Sequence, residues 1–144
     1  MAVWTTPKTD WYGGTDPVTG LYTGDRFNAT DYNRIKNNLI YLRDLAIKMY
    51  EEFSIEVVGN DKTTADFFFA DEINTMERNL DTINQHTINR PYGTRVTFTA
   101  NGNTPVYTEL NRLESAILDL YDRITNQHEG RRMFEWNFGM KGGL

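Results

Sequence analysis

Three stretches of this chain carry one outline: "TDYNRIKNNLIYL" from Thr30, "DEINTMERNLDTI" from Asp71 and "TELNRLESAILDL" from Thr108. Each places an asparagine three residues after a residue suited to capping a helix. These are Asn33, Asn74 and Asn111, spaced 41 (33 to 74) and 37 (74 to 111) residues apart, as repeated helical units are. Thr30, Asp71 and Thr108 are the predicted N-caps, whose side-chain oxygens would accept an orphan N–H of the first turn. The asparagine stands where a capping box uses Glu or Gln, and its amide carbonyl reads as a shorter substitute. Asp31, Glu72 and Glu109 follow the caps, where negative charge meets the positive end of the helix dipole.

The apolar residues align as well. Tyr32, Ile35, Leu39, Leu42 and Ala46 match Ile73, Met76, Leu80, Ile83 and Thr87, and match again Leu110, Leu113, Ile117, Leu120 and Ile124. Their steps of three and four define a narrow seam on each helix, and three such seams can bury one another. Helices are predicted over 30–53, 71–87 and 108–128, with Gly130 as the last stop. "SIEVV" (54–58), the alternating "TRVTFTANG" (94–102) and "MFEWNFGM" (133–140) read as short strands. The expected fold is mainly α: a three-helix bundle, antiparallel or staggered, with short β strands between helices and an extended N-terminal arm. The arm covers 1–29, the helical repeat domain 30–128, and an extended tail or strand 129–144. Pro7, Gly13, Gly14, Pro17, Gly20 and Gly24 make the arm irregular. Its Trp4, Trp11, Tyr12 and Tyr22 suggest packing on the bundle or on a neighbour, or contact with a glycan.

Composition narrows the function classes. A hydrophobic fraction of 39% with 13% aromatics argues against disorder, and 144 residues suffice for one core. No cysteine is present, which removes disulfides, thiolate zinc sites and cysteine nucleophiles. A net charge of −5 disfavours nucleic-acid and anionic-membrane binding. No apolar run approaches the ~18 residues of a membrane span, and the N-terminus lacks the pattern of a signal peptide. His86 and His128 stand near helix ends without a second ligand at metal spacing, so no metal or other cofactor is expected. "DPVTGLYTGD" (16–25) reads as turns rather than a calcium loop, because its acids do not alternate as ligands do. No nucleophile elbow, phosphate loop or dinucleotide fingerprint occurs, and no catalytic residue is assigned.

"NTPVYTELNRLESAILDL" resembles a segment of tail, baseplate and fibre proteins from siphophages and prophages of Gram-positive bacteria, through Thr104, Pro105, Leu110, Asn111, Leu113, Glu114 and Ile117. "WTTPKTDW" and "GDRFNATDYNRIKNNLIYL" are similar to the opening of small structural proteins of the same phages. There the matching residues are Pro7, Lys8, Thr9, Asp10 and Trp11, then Asp25, Phe27, Asn28, Asp31, Asn33, Arg34 and Ile35. "TADFFFADEINTMERNL" matches more loosely. The resemblance implies a non-enzymatic virion structural protein of a tail, baseplate or neck, made in the bacterial cytoplasm. The partners it implies are further copies of the chain and other phage structural proteins. A host-adhesion module that binds cell-wall carbohydrate through Trp11 and Tyr12 is the alternative.

Overall fold

A computed structural model describes residues 3–21, 23–25, 27–63, 70–93 and 107–141, with the backbone alone at 70 and 128–141. It contains α1 (Ala29–Met49), α2 (Ala70–His86) and α3 (Tyr107–Lys141). No strand element occurs among the described residues. No described helix is long and apolar enough to cross a membrane.

The helix starts keep the predicted alignment but lie earlier in the chain. Asn28, not Thr30, caps α1. Its side chain accepts from Asp31 N–H at 3.3 Å, and the Asp31 carboxylate accepts from Asn28 N–H at 3.1 Å. Thr30 would have to close such a box with Asn33, three residues on, but the Asn33 amide is bonded to the Lys62 backbone instead, whereas Asn28 and Asp31 bond each other. Thr30, Asp71 and Thr108 are each the second residue of their helices, so the cap assignments at Asp71 and Thr108 fall as well. The residues that precede α2 and α3 lie outside the described residues. Each repeat asparagine stands four residues after its first helical residue: 29 to 33, 70 to 74 and 107 to 111.

The predicted ends shift too. α1 stops at Met49, where Tyr50 N–H donates to Ala46 O at 2.9 Å, rather than at Phe53. Residues 54–58 form no strand; a side chain of α2 takes both backbone bonds of Glu56, as described below. Residues 129–141 continue α3, so the predicted extended tail and the strand at 133–140 are helix instead. Gly130 does not end it, since one interior glycine costs only about 1 kcal/mol against alanine. The predicted strand at 94–102 lies outside the described residues.

The seams bury as aligned. Every matched apolar residue is buried except Thr87, which is half-buried. At about 1.5–3 kcal/mol for each large aliphatic side chain removed from water, these rows supply the main favourable term. The helices, however, run parallel and in register rather than antiparallel or staggered. At one end, Tyr32 OH meets Glu72, Arg34 meets Glu114 and Arg112 meets Glu77. At the other, the Phe53 and His86 rings stack at 4.6 Å and Tyr50 OH reaches Gln127. A seam of this kind fits either direction, so the connections decide. Residues 50–69 and 87–106 are long enough, at up to ~3.3 Å per residue, to return along a helix of about 32 Å.

The arm is extended only at first. From Tyr12 to Asp25 it folds into a hairpin, with Asp25 N–H to Tyr12 O at 2.8 Å, Thr23 N–H to Gly14 O at 2.9 Å and Asp16 N–H to Leu21 O at 2.8 Å. Gly20, at φ 73°, closes the loop. The Asp16 carboxylate accepts from Val18 and Thr19 N–H at 2.8 and 3.3 Å, and these amides hold its pKa below the usual carboxylate value.

Candidate functional site

The repeat asparagines do not act in capping boxes. Asn33 and Asn111 each hold a distant stretch of backbone. The Asn111 amide accepts from Trp11 N–H at 2.7 Å and donates to Trp11 C=O at 2.9 Å. Asn33 does the same to Lys62, at 2.7 and 2.8 Å. A carboxamide presents a donor and an acceptor side by side, as a neighbouring strand does, so it satisfies both polar groups of one extended residue. Asn74 also takes part in an interaction.

A second set of clamps repeats below the first. Asn38, five residues after Asn33, holds Thr5 at 2.9 and 2.7 Å. Asn79, five after Asn74, holds Glu56 at 2.8 and 2.9 Å. Thr5 lies six residues before Trp11, and Glu56 six before Lys62. Segments 5–11 and 56–62 are therefore equivalent. Each is tied low to the helix it precedes and high to the helix before that one, with α3 taking that place for the arm. The third unit carries Ala116 in place of the lower asparagine. There Asn84 of α2 clamps Arg90, and Tyr92 OH donates to Asp119 of α3 at 2.7 Å. Segments 5–11 and 56–62 thus each precede a helix that they help to hold, and α3 closes a ring of three helices. The paired Asn38 and Asn79 were visible in the sequence as an Asn-x-x-x-x-Asn spacing common to two repeats.

Charged pairs follow the same ring. Arg34 sits directly after Asn33 and meets Glu114 of α3 through two nitrogens, at 2.7 and 2.8 Å. Arg112, directly after Asn111, meets Glu77 of α2. Both glutamates stand three residues after their repeat asparagine. At the third junction, symmetry would require arginine at 75 and glutamate at 36. Thr75 and Lys36 are found there together, and Lys36 instead reaches Asp61 at 2.5 Å and Gly59 O at 3.2 Å. A change at one site without the other would leave a buried charge unpaired, which is costly.

Glu114 is the most heavily bonded of these groups. It is fully buried and accepts from Lys8 N–H at 3.1 Å, from Arg34 and from the Trp11 indole N–H. Arg34 also reaches Asp31 at 2.9 Å. Glu77 is less well supplied. Burial pushes its carboxyl pKa above the usual value against the pull of Arg112, and its Oε2 has no hydrogen-bond partner among the described residues.

The arm aromatics separate into two groups. Trp11 is only 4% exposed and carries the Glu114 bond, so the expected glycan face there is corrected: the ring is part of the core. Trp4 stacks on Tyr121 at 3.9 Å and lies beside Tyr41, which makes it a packing residue. Tyr12 is 59% exposed, and Tyr22 lies outside the described residues. A Cβ on Gly13 would fall 2.1 Å from the Tyr107 ring, so the hairpin sits against the start of α3. Val18 and Leu21 on the hairpin are exposed, as is Tyr107 in part. With Tyr12 they form the candidate contact surface, at the end of the bundle where all three helices begin.

His86 stacks on Phe53, and His128 lies among the residues with backbone alone. Among the described residues no group of three or more His, Asp and Glu is placed to hold a metal. The chain matches no family model, and no curated protein or solved structure is detectably similar to it.

Proposed function

We propose that this chain is a structural component of a phage or prophage virion, in the tail, baseplate or neck, and acts by self-assembly and contact with other virion proteins. One observation carries the reading. Residues of the three stretches that resemble such proteins are far apart in sequence, yet they meet in one cluster. Lys8 and Trp11 come from the first, Asp31 and Arg34 from the second, and Asn111 and Glu114 from the third. Their shared chemistry is to lock an N-terminal arm across a helical bundle. A matched pattern whose members hold one another supports a common architecture more strongly than matching helix starts alone.

The buried Trp11 weakens the carbohydrate-binding alternative, which needed that ring open beside Tyr12. The contact surface of Tyr12, Val18, Leu21 and Tyr107 is apolar, and apolar surface suits protein contact. Particles produced by the host of origin, probed with a gold-labelled antibody to this chain, provide the test. Decoration at a fixed place on the tail or neck is the expected result. Recovery of the chain only in the particle-free fraction overturns the proposal.

A further inference from the structure

We propose that a groove along the outer face of α1 receives an extended segment of a partner protein, one that carries lysine or arginine. The proposal goes beyond the virion reading and does not depend on it.

The groove has a volume of about 800 Å³. Its floor is α1 from Thr30 to Asp44, with Asn37 and Ile40 between them. Its rims are the arm at Val3 and the second extended segment at Asp61. The fourteen helical steps from Thr30 to Asp44 span about 21 Å, the length of roughly six extended residues. α1 itself holds both rims. Asn38 binds the Thr5 backbone on one flank, and Asn33 binds the Lys62 backbone on the other. Asn37 stands between these two clamps. Its amide donates to Asp61 at 3.0 Å, while its Oδ1 accepts no hydrogen bond among the described residues. A third amide on the same helix is therefore open to a backbone N–H.

The other open groups are acceptors too. Arg43 Nε lies 2.8 Å from the Asp44 carboxylate, yet this buried N–H makes no hydrogen bond among the described residues. Adjacent side chains on a helix do not face each other, so the N–H is not aimed at its neighbour. Asp44 is thus half-buried on the groove floor and accepts no hydrogen bond among the described residues. Lys36 fixes Asp61 at the rim through Oδ1, which leaves Oδ2 open. The one cation in the lining, Arg34, is taken by Glu114 and Asp31. With their ion partners, the lining charges are Asp31, Asp44, Asp61 and Glu114 against Arg34, Lys36 and Arg43, four against three, a net of −1. A ligand must therefore bring donors and positive charge. A small amine would satisfy Asp44 but leave Val3, Ile40 and most of the length uncovered. An extended chain sets a basic side chain against Asp44, a backbone N–H against Asn37 and an apolar side chain over Ile40.

Titration of the ¹⁵N-labelled full chain with the peptide acetyl-Thr-Lys-Val-Lys-Val-Lys-Thr-amide tests this. The expected result is a set of amide shifts confined to the groove, centred on Asn37, Ile40 and Asp44. Asp44→Asn should weaken binding about fivefold, as for loss of a partly exposed ion pair, with the fold unchanged by circular dichroism. Asp122→Asn, an exposed carboxylate on α3 away from the groove, should leave the affinity unchanged. Binding should fade at 1 M salt, where screening reaches ~3 Å. Absence of shifts in α1 at millimolar peptide overturns the proposal. So does equal binding by the peptide with glutamate in place of lysine, or equal loss in the two variants. Cadaverine that binds as tightly as the peptide overturns the extended segment as occupant. None of these outcomes bears on the virion role, which particle labelling decides separately.

Discussion

Replacing Asn111 by alanine tests the clamp architecture most sharply. The substitution removes two hydrogen bonds, at 2.7 and 2.9 Å, that tie the Trp11 backbone to α3. Each contributes about 1 kcal/mol net, and stranding the Trp11 N–H and C=O beneath a buried indole adds ~1–3 kcal/mol for a group that water cannot reach. Alanine returns roughly 0.6 kcal/mol through its better helix propensity. The expected loss is about 3 kcal/mol, or a fall in Tm of ~6–12 °C for a domain of this size. Asn84→Ala is the internal control. It removes the same pair of bonds from Arg90, which is exposed, so water replaces the amide. Its cost should stay within ~1 kcal/mol. Urea unfolding followed by tryptophan fluorescence and by circular dichroism gives both values. Equal losses in the two variants would refute the argument, since burial of the clamped residue is what separates them.

The third junction gives an independent check. Lys36→Glu alone should destabilise by ~2–4 kcal/mol, because a buried carboxylate replaces an ammonium that bonds Asp61 and Gly59. Adding Thr75→Arg should restore at least about 1 kcal/mol of coupling in a double-mutant cycle, as the ring symmetry requires; strict additivity would count against that symmetry. Asn74→Ala should cost as much as Asn33→Ala to within about 0.5 kcal/mol by urea titration, because both occupy the same place in their units. For Glu77, burial raises the folded pKa above the ordinary glutamate value, so the folded state binds the proton more tightly. The stability this supplies is complete below pH ~4.5 and is lost as pH rises through the folded pKa. In Glu77→Gln that slope should disappear from a plot of Tm against pH, and a slope as steep as in the wild type would remove Glu77 as its source.

The sequence alone determined the repeat and its register. The spacing of Asn33, Asn74 and Asn111 and the rows of three-and-four steps are properties of a helix taken by itself, and every aligned large apolar residue is buried. The helix boundaries were less legible. Thr30 and Asn28 are both good caps, and the choice between them turned on which could close a box with Asp31. The tertiary structure decided the rest. Direction along the bundle depends on where the connections run, and an apolar seam has no polarity that enforces it. The asparagine amides could have bonded the first turn or any extended backbone within reach, and the backbone they hold comes from Lys62, 29 residues from Asn33, and Trp11, 100 residues from Asn111. Local pattern fixes which face of a helix is apolar. What meets that face, and what an exposed polar group beside it holds, depends on segments distant in sequence that only folding brings together.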